Sequence, residues 1–173
     1  MNVTLIGMPG AGKSCMGKML AKQLGMRFID GDKLIEKTVG KRLCEIISES
    51  GVEGFKKIER EILLSINGDG LIISPGGSAV YYPEVMENFK EQGIVVYLYV
   101  SPKTFITRIG DYSERGIAMK EGQSLDDLFN ERAPLFEKYA DLTVSCDGTA
   151  FARYKAILLG EVRKLIEKRE MLI

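Results

Sequence analysis

The stretch Gly7-Met8-Pro9-Gly10-Ala11-Gly12-Lys13-Ser14 is a complete GxxxxGKS loop, set directly between the apolar run Val3-Thr4-Leu5-Ile6 and a helical pattern. Strand, glycine-rich loop and helix in that order form a phosphate cradle. Gly7, Gly10 and Gly12 allow backbone conformations closed to residues with a Cβ, so successive amides, that of Ala11 among them, can turn towards phosphate oxygens. The helix that begins near Lys13 adds the positive end of its dipole, and the Lys13 ammonium reaches the β and γ phosphates as a point charge. Ser14 offers a hydroxyl to Mg²⁺, an ion that keeps several waters and leans on phosphate oxygens. A chain carrying this arrangement is expected to bind a nucleoside triphosphate.

At 173 residues the chain suits one α/β domain. Lys plus Arg and Asp plus Glu are balanced at 24 each, so no basic excess points to nucleic acid or an anionic membrane. The longest apolar run, Gly93 to Val100, is strand-sized, and the N-terminus lacks the regions of a signal peptide, so a cytoplasmic protein is expected. Cys15, Cys44 and Cys146 lack CxxC spacing, which argues against a disulfide framework or a structural zinc site. With no His in the chain, a His-based triad is excluded and proton transfer falls to carboxylates, Lys or water.

Short apolar runs alternate with amphipathic stretches, the pattern of a parallel sheet with helices on its faces. The expected strands are Asn2 to Ile6, Arg27 to Asp30, Gly70 to Ser74, Ile94 to Val100 and Leu142 to Ser145. Helices are expected over Lys13 to Leu24, Lys33 to Val39, Gly54 to Ser65, Pro102 to about Arg108, Leu125 to Tyr139 and Phe151 to Lys168. Between Ile109 and about Ser124, Gly110, Gly116 and Gly122 stand among charged residues, which reads as a mobile lid.

Phe28-Ile29-Asp30-Gly31-Asp32 ends the second strand, where ligands bind in open α/β folds. Asp30 and Asp32 share a face of an extended chain. One can hold the water shell of Mg²⁺ while the other orients a substrate hydroxyl and takes its proton; alternatively the pair turns the chain and caps the next helix.

The chain resembles the shikimate kinases over nearly its full length. The resemblance rests on Gly7 to Ser14, on the FxDxD stretch Phe28 to Asp32, and on Phe55-Lys56-Lys57-Ile58-Glu59 in place of FRxxE. It continues with Ser74-Pro75-Gly76-Gly77-Ser78-Ala79-Val80 and with Glu131 to Tyr139 for the RxPxY element. It implies a five-stranded parallel sheet of order 2-3-1-4-5, a lid, and transfer of the ATP γ-phosphoryl group to the 3-hydroxyl of shikimate by a monomeric enzyme. Asp32 is then the base that orients the ring hydroxyls, and Asp30 holds Mg²⁺ through water. Gly76 and Gly77 bring amides close to the substrate, and Arg132 grips its carboxylate with a planar fork. Arg115 is the lid arginine that meets the transferring phosphoryl group, and Arg108 lies over the adenine.

The chain departs from the family pattern in four places. Lys56 stands where a second carboxylate-binding arginine is expected, offering one point contact instead of a fork. Ser78 replaces the third glycine of the GGG loop, Cys15 replaces a Thr beside the α-phosphate, and Arg115-Gly116-Ile117-Ala118 replaces RPLL in the lid. Lys56 and Ser78 favour a second reading, a kinase of another hydroxylated acid such as gluconate. A third reading is a nucleotide-binding regulator with little turnover.

Overall fold

The computed structural model describes residues 1–110, 116–147 and 151–171. Five strands, β1 (Asn2–Ile6), β2 (Arg27–Asp30), β3 (Leu71–Ser74), β4 (Gly93–Tyr99) and β5 (Leu142–Ser145), form one parallel sheet in the order β2-β3-β1-β4-β5. Seven helices are described: α1 (Lys13–Leu24), α2 (Gly31–Val39), α3 (Leu43–Leu64), α4 (Pro83–Gln92), α5 (Pro102–Ile109), α6 (Leu125–Tyr139) and α7 (Phe151–Glu170). β1, β3 and β4 are buried along almost their whole length, as strands covered by helices on both faces must be. The chain leaves β1 first for the β2–β3 side and later for the β4–β5 side. The crevice at this switch point opens beyond the carboxyl ends of β1 and β3.

Local chemistry sets the helix starts around that crevice. Asp30 is the N-cap of α2, its Oδ1 accepting from the Lys33 amide at 3.2 Å, so the helix begins at Gly31 instead of the expected Lys33. Ser124 and Asp127 form a reciprocal capping box that fixes the entry to α6. The expected Gly54 to Ser65 helix is the second half of a longer element: α3 starts at Leu43 and kinks at Gly51, whose φ of 70° and ψ of 173° break the helical path. Its first half covers Leu43 and Ile46, which pack with Ile35, Phe55 and Ala118 in a small core beside the crevice. β4 lies one residue earlier than expected at each end. No helix among the described residues is long and apolar enough to cross a membrane.

Candidate active site

A cavity of about 380 Å³ lies over the ends of β1, β2 and β3. One end is the phosphate loop. Gly7, Gly10 and Gly12 have φ values of 147°, 78° and 95°, which L side chains rarely adopt, and a Cβ on Gly7 would stand 2.6 Å from the Leu98 carbonyl oxygen. The Ala11 amide donates to the Met8 carbonyl at 3.1 Å, so it braces the loop from within. Lys13 donates from Nζ to the carbonyls of Gly7 at 2.9 Å and Met8 at 3.0 Å. Desolvation lowers its pKa from 10.5 to about 8, against the opposing attraction of Asp32 and with a smaller downward push from Arg132. The first turn of α1 carries no acidic residue, so the dipole end remains uncompensated beneath the loop.

Ser14 donates its hydroxyl to Asp30 Oδ2 at 2.7 Å. Asp30 thus caps α2 with one oxygen and faces the serine with the other. This hydroxyl and carboxylate suit a hard cation. Among the described residues no three His, Cys, Asp or Glu side chains gather into a metal cage, so an ion at this donor set would draw its remaining ligands from phosphate and water. Cys15 also lines the cavity, and its side chain is exposed.

The other end is assembled from distant segments. Asp32, in the first turn of α2, has its pKa raised by burial, with Lys13 pulling it back. Gly76 and Gly77 follow β3 and supply a wall without side chains. A Cβ on Gly76 would stand 2.7 Å from Glu59 Oε1 and 2.8 Å from Asp32 Oδ1. A Cβ on Gly77 would stand 3.0 Å from Arg132 Nη1 and 3.1 Å from Pro9 Cδ. Arg132, on α6, is 1% exposed and donates from Nε to the Tyr81 hydroxyl at 3.0 Å and from Nη2 to the Ala118 carbonyl at 2.7 Å.

Ser78 lines the cavity, but its hydroxyl is committed to Glu59 Oε1 at 2.8 Å. It braces the wall instead of reaching for an acceptor. Glu59 is fully buried, takes a second hydrogen bond from the Tyr82 hydroxyl at 2.7 Å, and has its pKa raised by burial against the pull of these two donors. Its bracing role was not read from the sequence, although a signal exists: Phe55, Glu59 and Leu63 recur every four residues and all three are buried, which places a carboxylate on the core face of a helix.

Lys56 is a correction. It does not line this cavity; Nζ donates to Glu53 at 2.7 Å and lies 5.3 Å from the Tyr81 ring centroid, in a second cavity of about 350 Å³. Phe55 faces the site, and one residue is a rotation of about 100° around a helix, which carries Lys56 away. Arg108 lies against the phosphate loop, with its Cβ 3.5 Å from where a Cβ on Gly10 would be, and donates from Nη2 to the Cys146 carbonyl at 2.8 Å. Arg115 lies outside the described residues.

A sequence model of the shikimate kinase family matches residues 9–159. The shikimate kinase of Persephonella marina is 33% identical over 163 residues, covering 94% of this chain and 99% of that protein. Among solved structures, a shikimate kinase from Acinetobacter baumannii in complex with shikimate superposes with a TM-score of 0.84 at 32% identity, covering 97% of this chain and 93% of the other. A gluconokinase from Sinorhizobium meliloti shares the fold, with a TM-score of 0.63 at 16% identity, 99% of this chain and 96% of the other being covered.

Proposed function

The chain belongs to the shikimate kinase family, and from that premise we propose that it transfers the γ-phosphoryl group of ATP to the 3-hydroxyl of shikimate. The observation that carries this reading is that Lys13, Asp32 and Arg132 line one cavity. Phosphoryl transfer needs positioning and charge neutralisation more than covalent chemistry. The loop and Lys13 hold the triphosphate, Arg132 holds the acceptor's carboxylate, and the amides beside Gly76 and Gly77 meet the acceptor closely. Asp32 accepts the hydrogen bond of the reacting hydroxyl and takes its proton as the oxygen–phosphorus bond forms. Its raised pKa moves it towards the working range of a general base. Mg²⁺, held by Ser14 and through water by Asp30, would supply further neutralisation of phosphate charge. The same reading gives Arg108 the adenine and Arg115 the transferring group, and takes the enzyme as a cytoplasmic monomer without nucleic-acid or membrane partners.

The test is ADP formation from MgATP with and without shikimate, beside gluconate and quinate. Turnover only with shikimate, falling at least about a hundredfold in Asp32→Asn, is the expected result. Turnover with gluconate alone would favour the second reading, which has lost ground because the Ser78 hydroxyl is occupied by Glu59. ADP formation independent of any acceptor would point to a nucleotide-binding regulator or an ATPase.

A further inference from the structure

We propose that Tyr81 is a positioning residue that aims Arg132 at the acceptor's carboxylate, an inference that rests on the function proposed above. Among the described residues, the cations lining the cavity are Lys13 and Arg132. Lys13 belongs to the phosphate end, so reading a carboxylate falls to one guanidinium. An arginine side chain is long and rotamer-rich, and its planar fork discriminates only when its plane is fixed.

Tyr81 fixes it from two directions. The Tyr81 hydroxyl accepts from Arg132 Nε at 3.0 Å, and the guanidinium carbon lies 5.1 Å from the ring centroid. The hydroxyl is itself oriented, because it donates to Glu131 Oε1 at 2.5 Å and so turns a lone pair towards Arg132. Glu131 Oε2 in turn accepts from Lys120 at 3.0 Å and Gln123 at 3.1 Å, both in the segment that precedes α6. With Nε on Tyr81 and Nη2 on Ala118, the Nη1 group is left on the Gly77 side, at the cavity. Tyr81 does not line that cavity, so it acts through Arg132. Lys56, displaced from the site, lies 5.3 Å from the centroid of the same ring.

Tyr81→Phe retains the ring and removes the hydroxyl. Kinetics of ADP formation would be measured for wild type and variant with shikimate and with its methyl ester, which lacks the carboxylate charge. The expected result is a KM for shikimate raised about tenfold, with kcat and the KM for MgATP within about twofold, and the preference for acid over ester reduced by the same factor. Glu131→Gln, which leaves the Tyr81 ring and hydroxyl in place, is expected to shift the same preference in the same direction by about threefold, and serves if the first variant folds poorly. A folded Tyr81→Phe enzyme with unchanged preference, or one losing kcat equally for both acceptors, would overturn the inference. So would a wild-type enzyme indifferent to the ester. Wild type without any shikimate-dependent turnover would overturn the functional reading and this inference with it.

Discussion

Replacing Gly76 by alanine tests whether the wall of the acceptor site holds two carboxylates in place. The added methyl carbon would stand 2.7 Å from Glu59 Oε1 and 2.8 Å from Asp32 Oδ1, about 0.6 Å or more inside ordinary van der Waals contact. Glu59 cannot give way cheaply, since Ser78 and Tyr82 hold its two oxygens at 2.8 and 2.7 Å. Asp32 has a short stem on the first turn of α2 and is the easier group to displace. A displacement of that size at the reacting centre costs about a hundredfold in kcat/KM, and overpacking of a buried wall costs about 1–3 kcal/mol of stability. Gly77→Ala supplies the internal comparison. Its methyl meets Arg132 Nη1 at 3.0 Å and Pro9 Cδ at 3.1 Å, a milder approach, so it is expected to lose about tenfold and mainly in acceptor KM. The assay is acceptor-dependent ADP formation at saturating MgATP, with thermal melting to confirm folding and a fluorescent nucleotide to report the phosphate site. Nucleotide affinity in Gly76→Ala should stay within about twofold of wild type, because the glycine touches carboxylates and not the loop. Wild-type turnover in Gly76→Ala, or a smaller loss than in Gly77→Ala, would refute the geometry.

Lys13, with its pKa at about 8, is half neutral at that pH without nucleotide, and phosphate binding restores its charge; MgATP binding at pH 8 should take up about half a proton, fading towards pH 6, as read by calorimetry in buffers of different ionisation enthalpy. For the fold alone the sign is opposite: the unfolded chain keeps this proton up to about pH 10.5, so the Lys13 contribution to stability improves from about pH 8 to about 10.5. Asp32 must be ionised to act as base, so kcat/KM should rise with pH through a value above the ordinary carboxylate range, and Asp32→Asn should remove that acid limb. In the centre of β4 the Tyr97 hydroxyl is buried without a hydrogen-bond partner among the described residues, while its ring stacks on Phe136 at 5.1 Å. Tyr97→Phe keeps the stack and removes an unsatisfied group, so it should stabilise the protein by about 1 kcal/mol in denaturant titration; a loss of stability would reveal a partner for the hydroxyl.

The phosphate end was legible because it is local. Eight consecutive residues and the caps of one helix determine it, and the glycines at positions 7, 10 and 12 take the conformations that their type permits. The sheet was legible where burial is continuous, as in β1 and β4, and α6 keeps its expected bounds, Leu125 to Tyr139. The first half of α3 was hidden by Gly40, Gly51 and Gly54, which punctuate its sequence as a loop would, although Gly51 only bends the helix and Gly40 ends the previous one. The acceptor end depends on rotation about helix axes. Lys56 and Phe55 are neighbours in sequence and face different cavities, a difference that motif spacing does not encode. Ser78 occupies the expected loop, yet its partner Glu59 lies 19 residues away on α3, so its hydroxyl could not be assigned before the helix was placed.

The distribution of compensated charge also separates the two cavities. Around the second cavity three of the four lining cations, Lys56, Arg60 and Lys120, pair with a carboxylate, from Glu53, Glu84 and Glu131 in turn. In the first cavity, Lys13 donates to backbone carbonyls, and Arg132 to a phenol and a backbone carbonyl; among the described residues neither has a carboxylate in salt-bridge contact. Hydrogen bonds to neutral acceptors, with the attraction of Asp32 and Asp30, leave the desolvation of Lys13 incompletely offset, which its lowered pKa records. An anion arriving at either cation recovers part of that cost. Two such cations in one cavity therefore favour a pair of ligands that each bring an anionic group, polyphosphate to Lys13 and carboxylate to Arg132. A neutral polyol would leave Arg132 uncompensated while displacing water from around it. The site is thus biased towards hydroxylated acids over neutral sugars, even though its neutral wall at Gly76 and Gly77 would accommodate either.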